Sequence, residues 1–415
     1  MGLVFGFIAR SAIAIFFEIT PIDLNGGQHK HVTHPTLILL VGNKNTLPTL
    51  HKSINGENRM SVNERFARQT LIAGWEQERL QAATAVIVGI GALGNEVARI
   101  LALSGIGHLI LCDHDTVALS NLSRCVLFRE ADVGQLKVTV AAQSLKAFGP
   151  QLQVQTRPKP LISGIGLAEL RSADIVLGCL DSRAARLQLA GRCNLVGAPY
   201  IDGGTHPWGG EVRPYLVANG PCYGCSLNSE ERSISDVPWS CVEESLSNPV
   251  GSTASSSVVI GGWMSLVAIR FLMDLSTPEG SLRIDGSRGT SRIVQQQHNP
   301  DCLLHQPIET IKKVANSDQS TVAALLAEIE TESVVLSWAP IQQRIECRTC
   351  GFQTVRWGIP KAARCPTCET TLRLRTTLEL SEAPGQLKLT DLGIAPREIL
   401  AIRTIKGIEW IELSD

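Results

Sequence analysis

The stretch from Val86 to Asp115, VIVGIGALGNEVARILALSGIGHLILCDHD, limits the fold more than any other part of the chain. Gly89, Gly91 and Gly94 form G-x-G-x-x-G directly after an apolar, β-branched run. An acidic residue, Asp113, follows 24 positions after Gly89. The glycines suit a tight strand-to-helix turn whose backbone N–H groups can approach a phosphate, with a helix starting at Ala92. An aspartate ending the next strand is placed to bond ribose hydroxyls. Alone, the turn and the aspartate do not choose between NAD and ATP.

The flanking pattern supports such a turn. TAVIVG, HLILCD, LQVQTR, DIVLGCL and PYIDGG read as strands of a buried parallel sheet. Between them, ALGNEVARILALSG, GQLKVTVAAQSLKAF and RAARLQLAGRCNLVG read as helices, the first ended by Gly105 and the second by Gly149-Pro150. The alternation predicts an α/β fold: a doubly wound, mostly parallel sheet with helices on both faces and ligand at the carboxyl ends of the strands.

The charges nearby favour a triphosphate. Arg124 closes CDHDTVALSNLSR, Lys137 is expected one turn into a helix after VGQLK, and Asp181 ends the strand LGCLD. A nicotinamide slot is flat and apolar and has no use for so many charges. Two cations neutralise phosphate oxygens, and a carboxylate at a strand end can ligate Mg²⁺.

In order along the chain stand RFARQTLI, the glycine-turn segment through SNLSR, VGQLK, LGCLDSRAAR, PYIDGG, PCYGC and SCVEES. From Arg65 to about His305 the chain thereby resembles the ThiF/MoeB/HesA family, the adenylating core shared with ubiquitin-activating enzymes. The resemblance implies ATP-dependent adenylation of the C-terminal glycine of a small ubiquitin-like or sulfur-carrier protein, with release of pyrophosphate. It implies that Gly89, Gly91, Ala92 and Gly94 line the nucleotide pocket and that Asp113 holds the ribose. Asn121 and Arg124 would contact ribose and phosphates, Lys137 the phosphates, and Asp181 the Mg²⁺. Arg68 matches an arginine that reaches the γ-phosphate in a partner subunit, which implies a homodimer. Two departures are visible: Ser182 follows Asp181 where asparagine is usual, and Ala92 stands where glycine is common.

The resemblance also gives Cys241, in DVPWSCVEES, two readings. It is a nucleophile that takes the activated carrier as a thioester for conjugation, or it is a structural cysteine in an enzyme that stops at the adenylate. Glu243 and Glu244 beside it would raise the thiol pKa. Family members join Cys222-x-x-Cys225 to a second pair after the core. Here NPDCLLH offers Cys302 and His305, so the implied zinc set is three cysteines and a histidine.

A second set needs no resemblance. Cys347-x-x-Cys350, fourteen residues, then Cys365-x-x-Cys368 has zinc-ribbon spacing. Metal stabilises zinc-finger peptides of similar size by ~10–16 kcal/mol. Cys112, Cys125, Cys179 and Cys193 fall in apolar strands or helices and read as core residues. The metal-type pairs among the twelve cysteines suit a reducing, cytoplasmic setting.

The expected organisation is a 1–60 extension ending at Met60, an adenylation domain over 61–310, a helical linker over 311–340 containing STVAALLAEIETE, the ribbon over 341–373, and a short α+β tail over 374–415. The extension reads as a product of an upstream start or as a small unit using HPTLILLVGN as a strand. Its apolar stretches are too short to span a bilayer, so no membrane partner is expected. Net charge is −1, which gives no global basic field for nucleic acid. Arg344, Arg348, Arg356 and Arg364 make the ribbon basic and suit partner docking, a conjugating enzyme being one such partner.

Overall fold

The computed structural model describes residues 64–149, 151–228, 251–330 and 333–414. The proposed 1–60 extension lies outside them. After a short helix α1 (Gln77–Ala82), β1 (Thr84–Val88) enters the glycine turn and leads to α2 (Ala92–Ser104). Gly105 ends α2 in a left-handed conformation, φ 90°, as the sequence pattern predicts. Then come β2 (His108–Cys112), α3 (Lys137–Phe148), β3 (Gln153–Arg157), the short helices α4 (Leu161–Gly164) and α5 (Leu167–Ser172), β4 (Ile175–Gly178), α6 (Arg183–Val196) and β5 (Tyr200–His206).

These strands pair in the order β3-β2-β1-β4-β5, every pair parallel. The apolar runs of β1, β2 and β4 follow from burial on both faces, whereas β3, QVQTR, is the partly exposed edge strand. Ala85 and Ile87 of β1 point into one core with α2 and α3, whereas Val86 and Val88 point into a second core with α5 and α6. The strand order reverses between β1 and β4, and a crevice opens beyond the carboxyl ends of strands at such a point.

Three strands continue the sheet with the opposite sense: β6 (Gly209–Tyr215), β7 (Ser281–Asp285) and β8 (Thr290–Val294), all antiparallel neighbours. The sheet is therefore mixed. The sequence reading assigned no strand to these glycine- and arginine-bearing stretches. Between β6 and β7 comes α7 (Ala254–Leu272), which is long and apolar enough to cross a membrane by length and composition. Here it packs against α2, β5 and β6, and half of it is buried.

The C-terminal part corrects the expected helical linker and joins it with the ribbon and tail segments in one sheet. Residues 311–340 hold β9 (Lys312–Val314), a six-residue α8 (Val322–Ala327) and the start of a long strand, β10 (Val334–Glu346). Thr321 caps α8, and the helix stops before the second half of STVAALLAEIETE. One six-stranded sheet takes in β9, β10, β11 (Gln353–Gly358), β12 (Arg373–Glu379), β13 (Ile399–Thr404) and β14 (Gly407–Leu413). Its order is β11-β10-β13-β14-β9, with β12 also on β10. Pro340 hid β10 in the sequence; the β10–β12 register shifts between Leu336 and Ile341, where a residue without an N–H can be tolerated. IEWIEL lies in β14, between β13 and β9.

This second sheet is fastened to α5 and α6. Glu398, fully buried, accepts from Arg192 Nη2 at 2.9 Å and from the Leu167 amide at 3.0 Å. Arg171 pairs with Glu412 at 2.6 Å. A Cβ on Gly166 would meet the Pro396 carbonyl at 2.1 Å, so the backbones touch there.

Candidate functional site

The three motif glycines have different jobs. Gly89 has φ 90°, and a Cβ on it would lie 2.5 Å from the Cys179 carbonyl of the loop after β4. A Cβ on Gly94 would lie 2.0 Å from the Gly89 carbonyl. Both are glycine because backbones meet. Gly91 has nothing within 4 Å of its missing Cβ. It precedes α2 without a side-chain cap, so no side chain takes up the first-turn amides. That is the geometry of a phosphate cradle, and Ala92 opens the helix behind it.

Asp113 sits beside the turn. Its Oδ2 accepts from the Ile90 amide at 2.7 Å and its Oδ1 from the Asp115 amide at 2.9 Å. It therefore braces the turn as well as facing the crevice. Lys137 is only 8% exposed and is the first residue of α3, not one turn inside it. Its Nζ lies 2.7 Å from Asp115 Oδ2. Sequence reasoning missed Asp115, although the D-x-D spacing in CDHD is a signal for it. Asn121 Oδ1 accepts from the Ala118 amide at 3.0 Å, and Arg124 Nη1 donates to the Ser120 carbonyl at 2.7 Å. Asp181 does not end β4 as expected: it is exposed in the loop three residues past Gly178, next to the glycine turn, with no ion pair among the described residues. Arg68 is exposed in the turn before α1.

A buried network behind Asp181 was also missed. Asp202 of β5, 0% exposed, accepts from Arg186 Nη1 and Arg213 Nη1, both at 2.8 Å, and from the Tyr200 hydroxyl at 2.9 Å. Arg186 Nη2 donates to the Leu180 carbonyl at 2.5 Å. The loop carrying Asp181 is thus tied to a charge in the core. Arg213 continues to Glu211 at 2.6 Å, and Glu211 to Arg283 at 3.2 Å. The signal in the sequence was an aspartate inside the otherwise apolar strand PYIDGG.

The first cysteine set is assembled as expected. Cys222 Sγ lies 3.7 Å from both Cys225 Sγ and Cys302 Sγ, and Cys225 Sγ lies 3.0 Å from His305 Nε2. A tetrahedral zinc with Zn–S of about 2.3 Å has S–S edges of about 3.8 Å. Burial, with Cys225 and Cys302 beside it, pushes the Cys222 thiol up to about 12. Burial, then the nearby His298, lowers the His305 pKa, which favours the neutral imidazole that a metal takes.

A sequence model of the ThiF family matches residues 65–304, more than half of the chain and the whole of this crevice. The chain belongs to the ThiF family. It is 32% identical to the molybdopterin-synthase adenylyltransferase of Escherichia coli K12 over 57% of this chain and 94% of that one. It is 32% identical to a sulfur carrier protein adenylyltransferase of Thermus thermophilus over 58% of this chain and 89% of that one. It is 31% identical to the adenylyltransferase and sulfurtransferase MOCS3 of Mus musculus, over 59% of this chain and 54% of that one. A crystal structure of E. coli MccB with ATP has a TM-score of 0.50 at 24% identity, covering 60% of this chain and 75% of that one, which shows the shared fold.

Beyond the ThiF match lies the second cysteine set. Cys347 and Cys368 sulfurs are 3.4 Å apart, and those of Cys350 and Cys365 3.5 Å. All four come within 4.8 Å of one another and could hold a metal. The Thr370 hydroxyl and then the Cys350 amide pull the Cys347 thiol down to about 5. Cys112 and Cys193 lie in a core strand and helix as expected, whereas Cys125 is buried in a loop and Cys179 is half-buried in the loop after β4; burial pushes Cys112 up to about 12 and raises the other three. Cys241 lies outside the described residues.

Proposed function

We propose that this ThiF-family chain adenylates the C-terminal glycine of a small ubiquitin-like or sulfur-carrier protein with ATP. The open face of Gly91, flanked by Asp113 and the exposed Asp181, carries the reading. The relatives named adenylyltransferases, two of them for molybdopterin synthase and a sulfur carrier protein, support it. In the reaction a carboxylate oxygen bonds to the α-phosphorus, the Pα–O–Pβ bond breaks, and pyrophosphate leaves. The α2 amides, Arg124 and Lys137 hold phosphate oxygens that would otherwise repel the incoming carboxylate. Asp113 and Asn121 hold the ribose. Asp181 is the ligand for Mg²⁺, which supplies charge neutralisation to the phosphates. The network of Arg186 and Asp202 keeps the Asp181 loop in place.

The two cysteine sets each hold one zinc with no open ligand position, so both zincs are structural. Arg68 acts in the site of a second copy of the chain. Leu71 and Ile72, 76% and 53% exposed beside it, suit such a contact. Transfer to the Cys241 thiol follows adenylation and hands the carrier to a conjugating enzyme. The alternatives are a sulfur-carrier enzyme that stops at the adenylate, or a scaffold without turnover. The unpaired thiols fit a cytoplasmic, reducing setting.

Pyrophosphate exchange with candidate carriers ending in glycine tests the reading. Exchange requires both carrier and Mg²⁺, and falls roughly 100-fold or more in Lys137→Ala and Asp181→Ala. Wild-type protein that binds NAD and not ATP would overturn it. A carrier adduct that is lost on thiol treatment and absent in Cys241→Ala places the chain with thioester-forming enzymes; exchange without an adduct leaves it an adenylating enzyme.

A further inference from the structure

The surface around the second cysteine set departs in charge from the rest of the chain. Residues 341–376 carry seven Arg or Lys against Glu346 and Glu369, while the whole chain nets −1. A divalent cation held by four thiolates offsets part of that excess and leaves the segment positive. The arginines are under-matched. Arg344, Arg373 and Arg375 share the one Glu346 carboxylate, at 4.0, 3.9 and 2.7 Å. Arg348, Arg356 and Arg364 have no ion pair among the described residues.

Two of these arginines flank a cleft of about 420 Å³. Arg348 and Thr349, in the first cysteine turn, form one wall; Thr371 to Leu374 and Thr376 form the other. Among the described residues β12 pairs only with β10, so its outer edge carries unpaired backbone N–H and C=O groups. Along β12, Arg373 and Arg375 project to one face, Leu374 and Thr376 to the other. The cleft therefore joins three features: a free strand edge, apolar side chains along it, and guanidinium groups at its rim.

We propose that this edge docks an extended acidic segment of a partner protein, which adds to β12 as a further strand. The partner's backbone pairs with β12. Its acidic side chains, two residues apart on one face, lie about 7 Å apart and meet Arg373 and, across the cleft, Arg348. Its opposite face lies along Leu374 and Thr376. A nucleic acid fits less well: no aromatic ring lines the cleft for a base to stack on, and a phosphodiester backbone cannot pair with a strand edge. The docking surface lies outside the crevice at β1 and β4, and the proposal does not depend on the adenylation reading.

The test uses the full-length, metal-loaded protein. The probe is a fluorescent peptide of about ten alternating Glu and Val residues, followed by anisotropy at low and at physiological salt. Three comparison probes are the Lys–Val peptide, the Glu–Val peptide with alternate amides N-methylated, and a single-stranded oligonucleotide of similar length. The variant is Arg348→Glu with Arg373→Glu, both exposed, with fold checked by circular dichroism and by an unchanged thermal melt. The acidic peptide binds, weakens about tenfold or more in the variant and on N-methylation, and slows amide exchange at residues 373–378. Absence of peptide binding, equal binding to the charge-reversed variant, or equal binding of the methylated peptide overturns the proposal. An oligonucleotide that outcompetes the peptide overturns it in favour of nucleic acid.

Discussion

Cys222 and Cys302 stand 80 residues apart and meet only because the sheet and α6 bring their loops together, whereas Cys347 and Cys368 stand 21 apart within one turn-and-strand unit. The ligands are alike, but their surroundings are not. In the first set the core buries Cys222 and Cys302, and burial raises the Cys222 thiol pKa. In the second a few neighbours, Thr370 foremost, set it, and the apolar support is a small cluster around Ile345 and Leu372. The first set is a product of a fold that other forces already specify. The second has too small a core to hold its turns without its ligands.

Cys347→Ser sharpens that contrast most. We expect one metal per chain to be lost, with amide protection lost across residues 347–372, while carrier-dependent pyrophosphate exchange survives. Retained protection there would break the comparison. Cys302→Ser should do the reverse. The parallel core stays folded and the second metal stays bound, but global stability drops by more than about 4 kcal/mol, the scale of losing a buried metal site. Metal counting by native mass spectrometry, with thermal melts, separates the two.

Glu398→Ala asks whether the sheet that bears the second set needs the core beneath it. Arg192 would be left buried without its carboxylate, which costs about 3–5 kcal/mol. Both metals should remain. Burial holds Glu398 above the usual carboxylate range, with Arg192 opposing. A carboxyl raised in the fold adds stability that is complete below about pH 4.3 and is lost as pH rises through the folded value. Wild type should therefore lose stability relative to Glu398→Gln as pH rises from about 4.3 through the folded value. A constant difference in melting temperature across that range would remove this account.

How legible each part was follows from the same distinction. Strands β1, β2, β4 and β5 showed in the sequence because burial on both faces writes an apolar run, whereas the edge strand β3, QVQTR, showed by its place in the β-α alternation. The cysteine pairs and the glycine turn showed because their spacing is local. β6 to β8 and β10 did not, since glycine, arginine and Pro340 mask their pattern and sheet pairing overrides it. The Lys137–Asp115 pair and the tie from Asp202 to Leu180 through Arg186 were hidden because they depend on elements that meet only in the fold. One sheet joining β9, β10 and β14 was invisible for the same reason.

The glycine turn repeats the contrast within six residues, and it gives the smallest expected change in stability. In the sequence Gly91 and Gly94 are equal members of one motif. In the structure a methyl at Gly94 collides with the Gly89 carbonyl at 2.0 Å, whereas a methyl at Gly91 meets no protein atom within 4 Å. Gly91 has φ −77°, which an alanine adopts without strain. Gly91→Ala should therefore leave stability within about 0.5 kcal/mol of wild type. The added methyl occupies the space through which a phosphate reaches the α2 amides, so kcat/KM for ATP should fall roughly 10–100-fold. A thermal melt with ATP-dependent exchange rates reads both quantities. Unchanged melting with unchanged ATP kinetics would mean that the open face of the turn is not where the phosphates lie.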